Sequence, residues 1–184
     1  AAAGASGNYT ARAWALYCSG EALLDIDSDE AATLLEQAID AARRVDRPFI
    51  EGVALVSLAS LCGRRGQTDR ALTLFRETVA HWRPLGAYTQ QLTTLRNLVE
   101  LLVHIGADEP AAVLHGAVTT GATPSFGAEA DRLAAGWDQL ETRLDAEAAA
   151  ERGRRMTPAE MVDTALAELD ALLDDPAPTS RPAP

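Results

Sequence analysis

Residues 69–75 read DRALTLF, and this pattern of small and bulky side chains decides the fold. The pattern recurs as DEAATLL at residues 29–35 and as EPAAVLH at residues 109–115. The third position is always the same small residue, at Ala31, Ala71 and Ala111. These alanines are forty residues apart in both intervals. A repeat of fixed length predicts a stack of similar units, each of which buries its apolar face against its neighbour.

Apolar stripes precede the last two of these segments. Their members fall at i, i+3, i+4 and i+7, which is one face of a helix. They are Leu55, Leu58, Ala59 and Cys62 in one unit, and Leu95, Leu98, Val99 and Leu102 in the next. Each stripe therefore predicts a helix, called helix A, ahead of a helix B that carries the alanine.

The connectors between the two helices also match. A glycine, Gly66 or Gly106, follows each stripe, and a capping residue, such as Thr68 or Asp108, comes next. Glycine ends a helix readily because it adopts the left-handed conformation without a Cβ penalty. The capping residue then begins helix B. We predict a helical hairpin whose alanine lies at the close crossing of the two helices, where a larger side chain would not fit.

These features resemble the tetratricopeptide repeat (TPR), with a small residue early in helix B and a bulky one four positions later. The unit is longer than the roughly 34 residues of the common repeat. Units of this length, together with the runs EGVALVSLA at 51–59 and LTTLRNLVELL at 92–102, resemble repeats of MalT-like and actinobacterial LuxR- or AfsR-type signalling ATPases and transcriptional regulators. The resemblance implies an all-α fold, an α-α superhelix of TPR-like hairpins forming a solenoid.

The expected organisation has four parts: a flexible segment at 1–8, three hairpins at 9–122, two C-terminal capping helices at 123–175, and a disordered Pro-rich tail at 176–184. The first capping helix begins at Thr123-Pro124 and is interrupted at 152–155. The second begins at a capping box, Thr157 to Glu160, with proline at its first helical position. Because the sequence starts without methionine, we expect it to be part of a longer chain.

Composition and charge exclude several classes of function. The 184 residues carry 16 basic side chains, all arginine, against 27 acidic ones, a net charge of -11. Such a chain would repel nucleic acid. Hydrophobic residues make up 47% and aromatic residues only 5%, which predicts a core of Leu, Val and Ala. No run approaches the roughly 18 apolar residues of a membrane span. No signal peptide is evident either, so we expect a soluble, cytoplasmic protein.

Candidate metal sites have simpler interpretations. Asp25, Asp27, Asp29 and Glu36 have the spacing of a calcium loop, but Glu30 occupies the position that requires glycine. The same acids suit the start of a helix, with Asp27 as its N-cap. The three histidines do not complete a tetrahedral zinc site.

No spacing of residues indicates catalysis. Cys18 and Cys62 are predicted to be small buried thiols. A phosphate-binding loop that ends in lysine is excluded, because the chain has no lysine. We therefore predict no enzymatic activity and no cofactor. The cluster Arg152, Arg154 and Arg155 either binds a phosphate or acidic partner or offsets a helix dipole.

The helix A side chains outside the core stripes are predicted to line a concave groove. They mix aromatic, hydroxyl and charged groups, which suits an extended peptide or a neighbouring helix. These residues are Trp14, Tyr17, Glu21, Val53, Ser57, Ser60, Arg64, Arg96, Asn97, Glu100 and His104. The alternatives are a solvated groove, a Glu100–Arg96 pair along one helix and a Trp14 that belongs to the core.

The resemblance implies a non-catalytic protein-interaction or sensor module, the C-terminal part of a multidomain ATPase-type regulator, that holds a protein or peptide in its groove. Two alternatives stay open. One is a self-association scaffold that forms a homodimer. The other is a small-ligand sensor with an enclosed pocket near Trp14 and Tyr17.

Overall fold

A computed structural model describes residues 8–120, 124–125 and 127–174. Every secondary-structure element in these ranges is an α-helix, which confirms the predicted all-α, helical-repeat type of fold. The nine helices of the described ranges are α1 (Tyr9–Leu23), α2 (Ser28–Arg44), α3 (Pro48–Arg64), α4 (Thr68–Leu85), α5 (Tyr88–Ile105), α6 (Asp108–Thr119), α7 (Ala128–Arg143), α8 (Ala146–Arg154) and α9 (Pro158–Asp174). Residues 1–7 of the predicted flexible segment, the predicted cap Thr123 and the predicted tail lie outside the described residues.

Helix starts follow a twenty-residue spacing, half the period found in the sequence. Six consecutive helices begin at Ser28, Pro48, Thr68, Tyr88, Asp108 and Ala128. Helix A and helix B of a hairpin, each with its turn, therefore occupy equal lengths of chain. The alanines Ala31, Ala71 and Ala111 all lie three residues after the first residue of a helix and are fully buried. The three alanines therefore share one setting, a buried position near the start of a helix.

The same left-handed turn is used four times. Asp46, Gly66, Gly86 and Gly106 have φ angles of 50°, 69°, 60° and 77°. In each turn the left-handed residue donates its N–H to the carbonyl three residues earlier. Nothing lies within 4 Å of a Cβ built at the three glycines, so their conformation alone favours glycine there. Asp46 shows that this turn also accepts a residue type that tolerates positive φ.

The capping prediction is wrong by one residue at α6. Its N-cap is Ala107, which makes no side-chain capping bond, and Asp108 is the first helical residue. The turn explains this shift, because only one residue separates Gly106 from the helix. The Asp108 carboxylate instead accepts a 2.9 Å hydrogen bond from Arg143 Nη1. The predicted caps at Asp27 and Thr157 are confirmed, since Asp27 accepts from the Glu30 N–H and Thr157 forms a capping box with Glu160.

The chain divides into two compact units, residues 1–78 and 79–184, and the boundary falls inside α4. In unit 1, α1, α2 and α3 pack against one another. Gly20 of α1 lies so close to α2 that a Cβ on it would be 2.9 Å from Leu35 Cγ. Small side chains thus set the distance between helices in this unit.

In unit 2, α6 packs against α5, α7, α8 and α9. The closest approach is between α6 and α8, where two glycines face the backbone of the other helix. A Cβ on Gly116 would lie 2.0 Å from the Ala150 carbonyl oxygen, and one on Gly153 would lie 1.8 Å from the Val113 carbonyl oxygen. Backbone fills the space that a side chain at either glycine would need.

The C-terminal region differs from the prediction of two helices, since it forms three: α7, α8 and α9. The break lies at Leu144, which is extended, and Asp145 caps α8 by accepting from the Ala148 N–H. Residues 152–154, predicted to interrupt a helix, form the last turn of α8. Gly153 does not break that helix because it is the residue that lets α8 approach α6.

None of the helices in the described part of the chain combines the length and the apolar character that a bilayer crossing requires.

We expect Gly116→Ala and Gly153→Ala each to lower the free energy of unfolding by about 2 kcal/mol or more, because a backbone must move to admit the methyl group. Gly136→Ala is the matched control. A Cβ on Gly136, also inside a helix, would make an ordinary 3.6 Å contact with Val103 Cγ2. This control should keep or gain stability, since alanine favours helix by about 1 kcal/mol. Urea unfolding, followed by circular dichroism, measures the free energy of unfolding of the three variants. An equal loss of stability in all three would contradict the close crossing of α6 and α8.

Candidate functional site

Unit 1 carries an aromatic cluster on one face of α1 and α3. The Trp14 and Tyr17 rings meet edge to face with centroids 5.7 Å apart, and the Trp14 and Phe49 centroids are 6.1 Å apart. Trp14 is 38% exposed and Phe49 is 46% exposed. Trp14 therefore does not belong to the core, and large apolar rings lie at the surface of this unit.

Tyr17 anchors the cluster to the interior. It packs against the buried residues Ala13, Ala42 and Ile50. Burial, and then the negative charge of Glu21, raise the pKa of Tyr17 to about 12. The phenol is consequently neutral at physiological pH.

Glu21 lies one turn along α1 from Tyr17, on the same face. Its Oε1 atom is buried and has no hydrogen-bond partner among the described residues. A buried carboxylate oxygen without a donor costs free energy, about 1 to 3 kcal/mol for a typical unpaired polar group. This carboxylate lies on the same face of α1 as Tyr17 and carries a negative charge whose buried oxygen lacks a donor in the described part of the chain.

We call the face formed by Trp14, Tyr17, Glu21, Phe49, Val53 and Ser57 the aromatic–acidic surface. The sequence predicted five of these six residues as groove residues. Phe49 was missed, although it precedes Val53 and Ser57 at four-residue intervals, which places the three on one side of α3. Val53 is half-buried, whereas Ser57 is buried and donates to the Val53 carbonyl at 3.0 Å.

The remaining predicted groove residues of unit 1 lie farther along α3. Ser60 is half-buried and donates to the Val56 carbonyl at 2.9 Å, and Arg64 is exposed in the last turn. Neither contributes to the aromatic contacts described above.

The predicted groove residues of unit 2 differ from expectation. Arg96 is buried: it is 4% exposed, and its Nη1 is 3.4 Å from Glu129 Oε2 of α7. Glu100 accepts a 2.8 Å hydrogen bond from Arg132 Nε, also on α7. Arg96 and Glu100 thus each form a pair with a residue of another helix.

Two further predicted residues of α5 show no such pairing to α7. Asn97 donates to the Thr93 carbonyl at 2.9 Å, and His104 is exposed. The face of α5 that carries Arg96 and Glu100 therefore contacts α7, whereas His104 stays exposed to solvent.

Three of the four acids considered for calcium have structural partners. Asp27 caps α2, Asp29 is ion-paired with Arg65, and Glu36 is ion-paired with Arg70. The prediction that both cysteines are buried is correct for Cys62 and wrong for Cys18, which is exposed.

The histidine and arginine candidates likewise make contacts within unit 2. His115 stacks on Trp137 with centroids 4.6 Å apart, and burial followed by the Arg154 charge lowers its pKa. In the basic cluster, Arg152 pairs with Glu109, Arg154 pairs with Glu147 and Glu151, and Arg155 pairs with Glu151. These arginines are neutralised by nearby acids, so they do not form a free basic patch.

No family model, curated protein or solved structure matches the sequence or the fold of this chain.

The raised pKa of Tyr17 predicts a stability change at alkaline pH. Between about pH 10 and 12 the unfolded phenol ionises while the folded one stays protonated, so the free energy of unfolding should fall as pH rises through this window. Tyrosinate absorbance of the folded protein, minus that of Tyr17→Phe, should give a midpoint near 12. Glu21→Gln should lower that midpoint by removing a negative charge. A midpoint at 10 would contradict the buried position of this hydroxyl.

Proposed function

We propose that this chain is a non-catalytic, TPR-like protein-interaction module. Its aromatic–acidic surface binds a partner segment that presents an arginine or lysine side chain. The observation that carries the proposal is the buried Oε1 of Glu21, which has no hydrogen-bond partner among the described residues, on the helix α1 that also carries the exposed ring of Trp14.

A basic side chain complements both features of this surface. Its N–H groups supply the donors that Glu21 lacks, as charge-assisted hydrogen bonds. Its cationic head is attracted to the faces of Trp and Phe rings. Arginine fits better than lysine, because a planar guanidinium stacks on a ring while it donates to a carboxylate. The net charge of -11 also favours encounter with a basic partner.

The chemistry of the surface supports binding and not proton transfer. A general acid or base works best with a pKa near the operating pH. The pKa of Tyr17, about 12, is far above that range, and its ring packs against Ala13 of α1 and Ile50 of α3. Tyr17 therefore holds the α1 and α3 sides of the surface together.

The resemblance of the helix A segments to those of signalling ATPases supports a wider proposal. The module serves a cytoplasmic multidomain regulator of signalling or transcription, and its partner is a protein or peptide, without direct nucleic-acid contact. Binding would influence other domains only where the partner prefers one of two states of the regulator.

The test uses two short Gly/Ser/Ala peptides, one with a central arginine and one with citrulline, its neutral isostere. The Trp14 indole resonance reports binding in a nuclear magnetic resonance titration of the full chain. We expect the arginine peptide to bind about tenfold more tightly, because only it forms an ion pair with Glu21. Trp14→Ala should weaken the binding of both peptides.

Two charge variants separate specific from general attraction. Glu21→Gln should lower the affinity for the arginine peptide to that for the citrulline peptide. Glu30→Gln removes the same charge from an exposed acid of α2 and should leave the affinity unchanged. Equal affinity of the two peptides, equal effects of the two variants, or no binding of the arginine peptide would each overturn the proposal. Circular dichroism of each variant establishes that it is folded.

A further inference from the structure

Unit 2 contains a cavity of about 250 Å³ that is distinct from the aromatic–acidic surface. Its walls come from the end of α4, the turn at Gly86, the start of α5 and the first turns of α9. The lining residues that matter here are Trp82, Tyr88, Gln91, Pro158 and Val162. Most of these side chains are apolar, so the cavity favours an apolar occupant.

Gln91 is the polar exception in this lining. Its side chain is 5% exposed, and its Nε2 atom is buried without a hydrogen-bond partner among the described residues. The neighbouring Trp82 indole shows the usual situation, since its N–H donates to Thr94 Oγ1 at 3.0 Å. A buried amide donor that lacks an acceptor is a costly feature, and an acceptor atom in the cavity would remove that cost.

The charge at the rim indicates a neutral occupant. Arg83 also lines the cavity, but its Nη2 is 2.9 Å from Asp163 Oδ1 of α9. This pair leaves little net charge to attract an ion. The volume lies just below the roughly 300 to 1,000 Å³ of typical ligand pockets, which suits a molecule of about ten non-hydrogen atoms.

We propose that this cavity is a binding site for a small, neutral, largely apolar molecule whose single carbonyl oxygen accepts a hydrogen bond from Gln91 Nε2. The apolar part of the ligand packs against Trp82, Pro158 and Val162. Such a ligand joins α9 to the α4–α5 turn, so binding stabilises the contact between these elements. The site lies wholly within unit 2 and does not depend on the function proposed for unit 1.

The test compares acetophenone with α-methylstyrene, in which a methylene group replaces the carbonyl oxygen and the shape is kept. Both probes are titrated into the full-length protein, and the resonances of the Gln91 side-chain amide, the Trp82 indole and the Val162 methyl groups are followed. We expect acetophenone to shift all three and to bind about tenfold more tightly than α-methylstyrene. Trp14, in unit 1, is the internal control and should not shift.

Variants test the donor. Gln91→Leu should weaken the binding of acetophenone, so that the affinities of the two probes lie within about twofold of each other. Gln91→Met should weaken acetophenone as well, because a thioether has no N–H to donate. Val162→Trp should abolish the binding of both probes by filling the cavity while Gln91 is kept.

The wild-type titration decides the proposal even where a variant fails to fold. Failure of both probes to shift the cavity resonances would overturn the site. Equal affinity of the two probes would overturn the role of the Gln91 donor. Acetophenone binding that keeps its full strength in Gln91→Met would likewise overturn it. The outcome with these probes does not affect the arginine-peptide test of unit 1, so either proposal can be overturned without the other.

Discussion

The close approach of helix backbones, made possible by residues with little or no side chain, is the constraint on which the rest of this structure depends. It is seen at Gly116 and Gly153, where the backbone of the other helix occupies the space of a Cβ. Left-handed turns at Asp46, Gly66, Gly86 and Gly106 separate helices that begin twenty residues apart, and the alanines Ala31, Ala71 and Ala111 are buried at the same position of their helices.

Packing through small residues also shapes the surfaces available for binding. Because alanine, glycine and leucine fill the interior, several of the few aromatic side chains lie at or near the surface, as Trp14, Phe49 and Tyr88 do. Both proposed sites combine such rings with a buried polar atom that lacks a partner, a carboxylate oxygen in unit 1 and an amide nitrogen in unit 2. The Glu21 oxygen is an acceptor and the Gln91 nitrogen is a donor. The two sites therefore require different ligands, a cation for Glu21 and a neutral acceptor for Gln91.

Sequence reasoning found much of the first site and little of the second. The helical register of Trp14, Tyr17 and Glu21 was sufficient to place them together, because residues three and four apart share a face. Gln91 could have been noticed, since it lies four residues before Leu95 and so continues a core stripe with a polar side chain. The cavity itself could not be recognised from the sequence, because α9 contributes to it from about seventy residues away.

What the sequence by itself determined is local: the helical class, the hairpin period, the left-handed glycines and the capping box of α9. Each depends on backbone preferences or on contacts within about one helical turn, and these can be recognised from residue type and spacing. Tertiary structure alone decided that Arg96 pairs with Glu129, that helix α7 ends before Leu144, and that Gly153 lies at a helix crossing instead of ending a helix. These outcomes depend on how one helix is rotated and shifted against another. A shift of one residue moves a side chain by about 1.5 Å along the helix and by about 100° around it, and no local pattern specifies that choice.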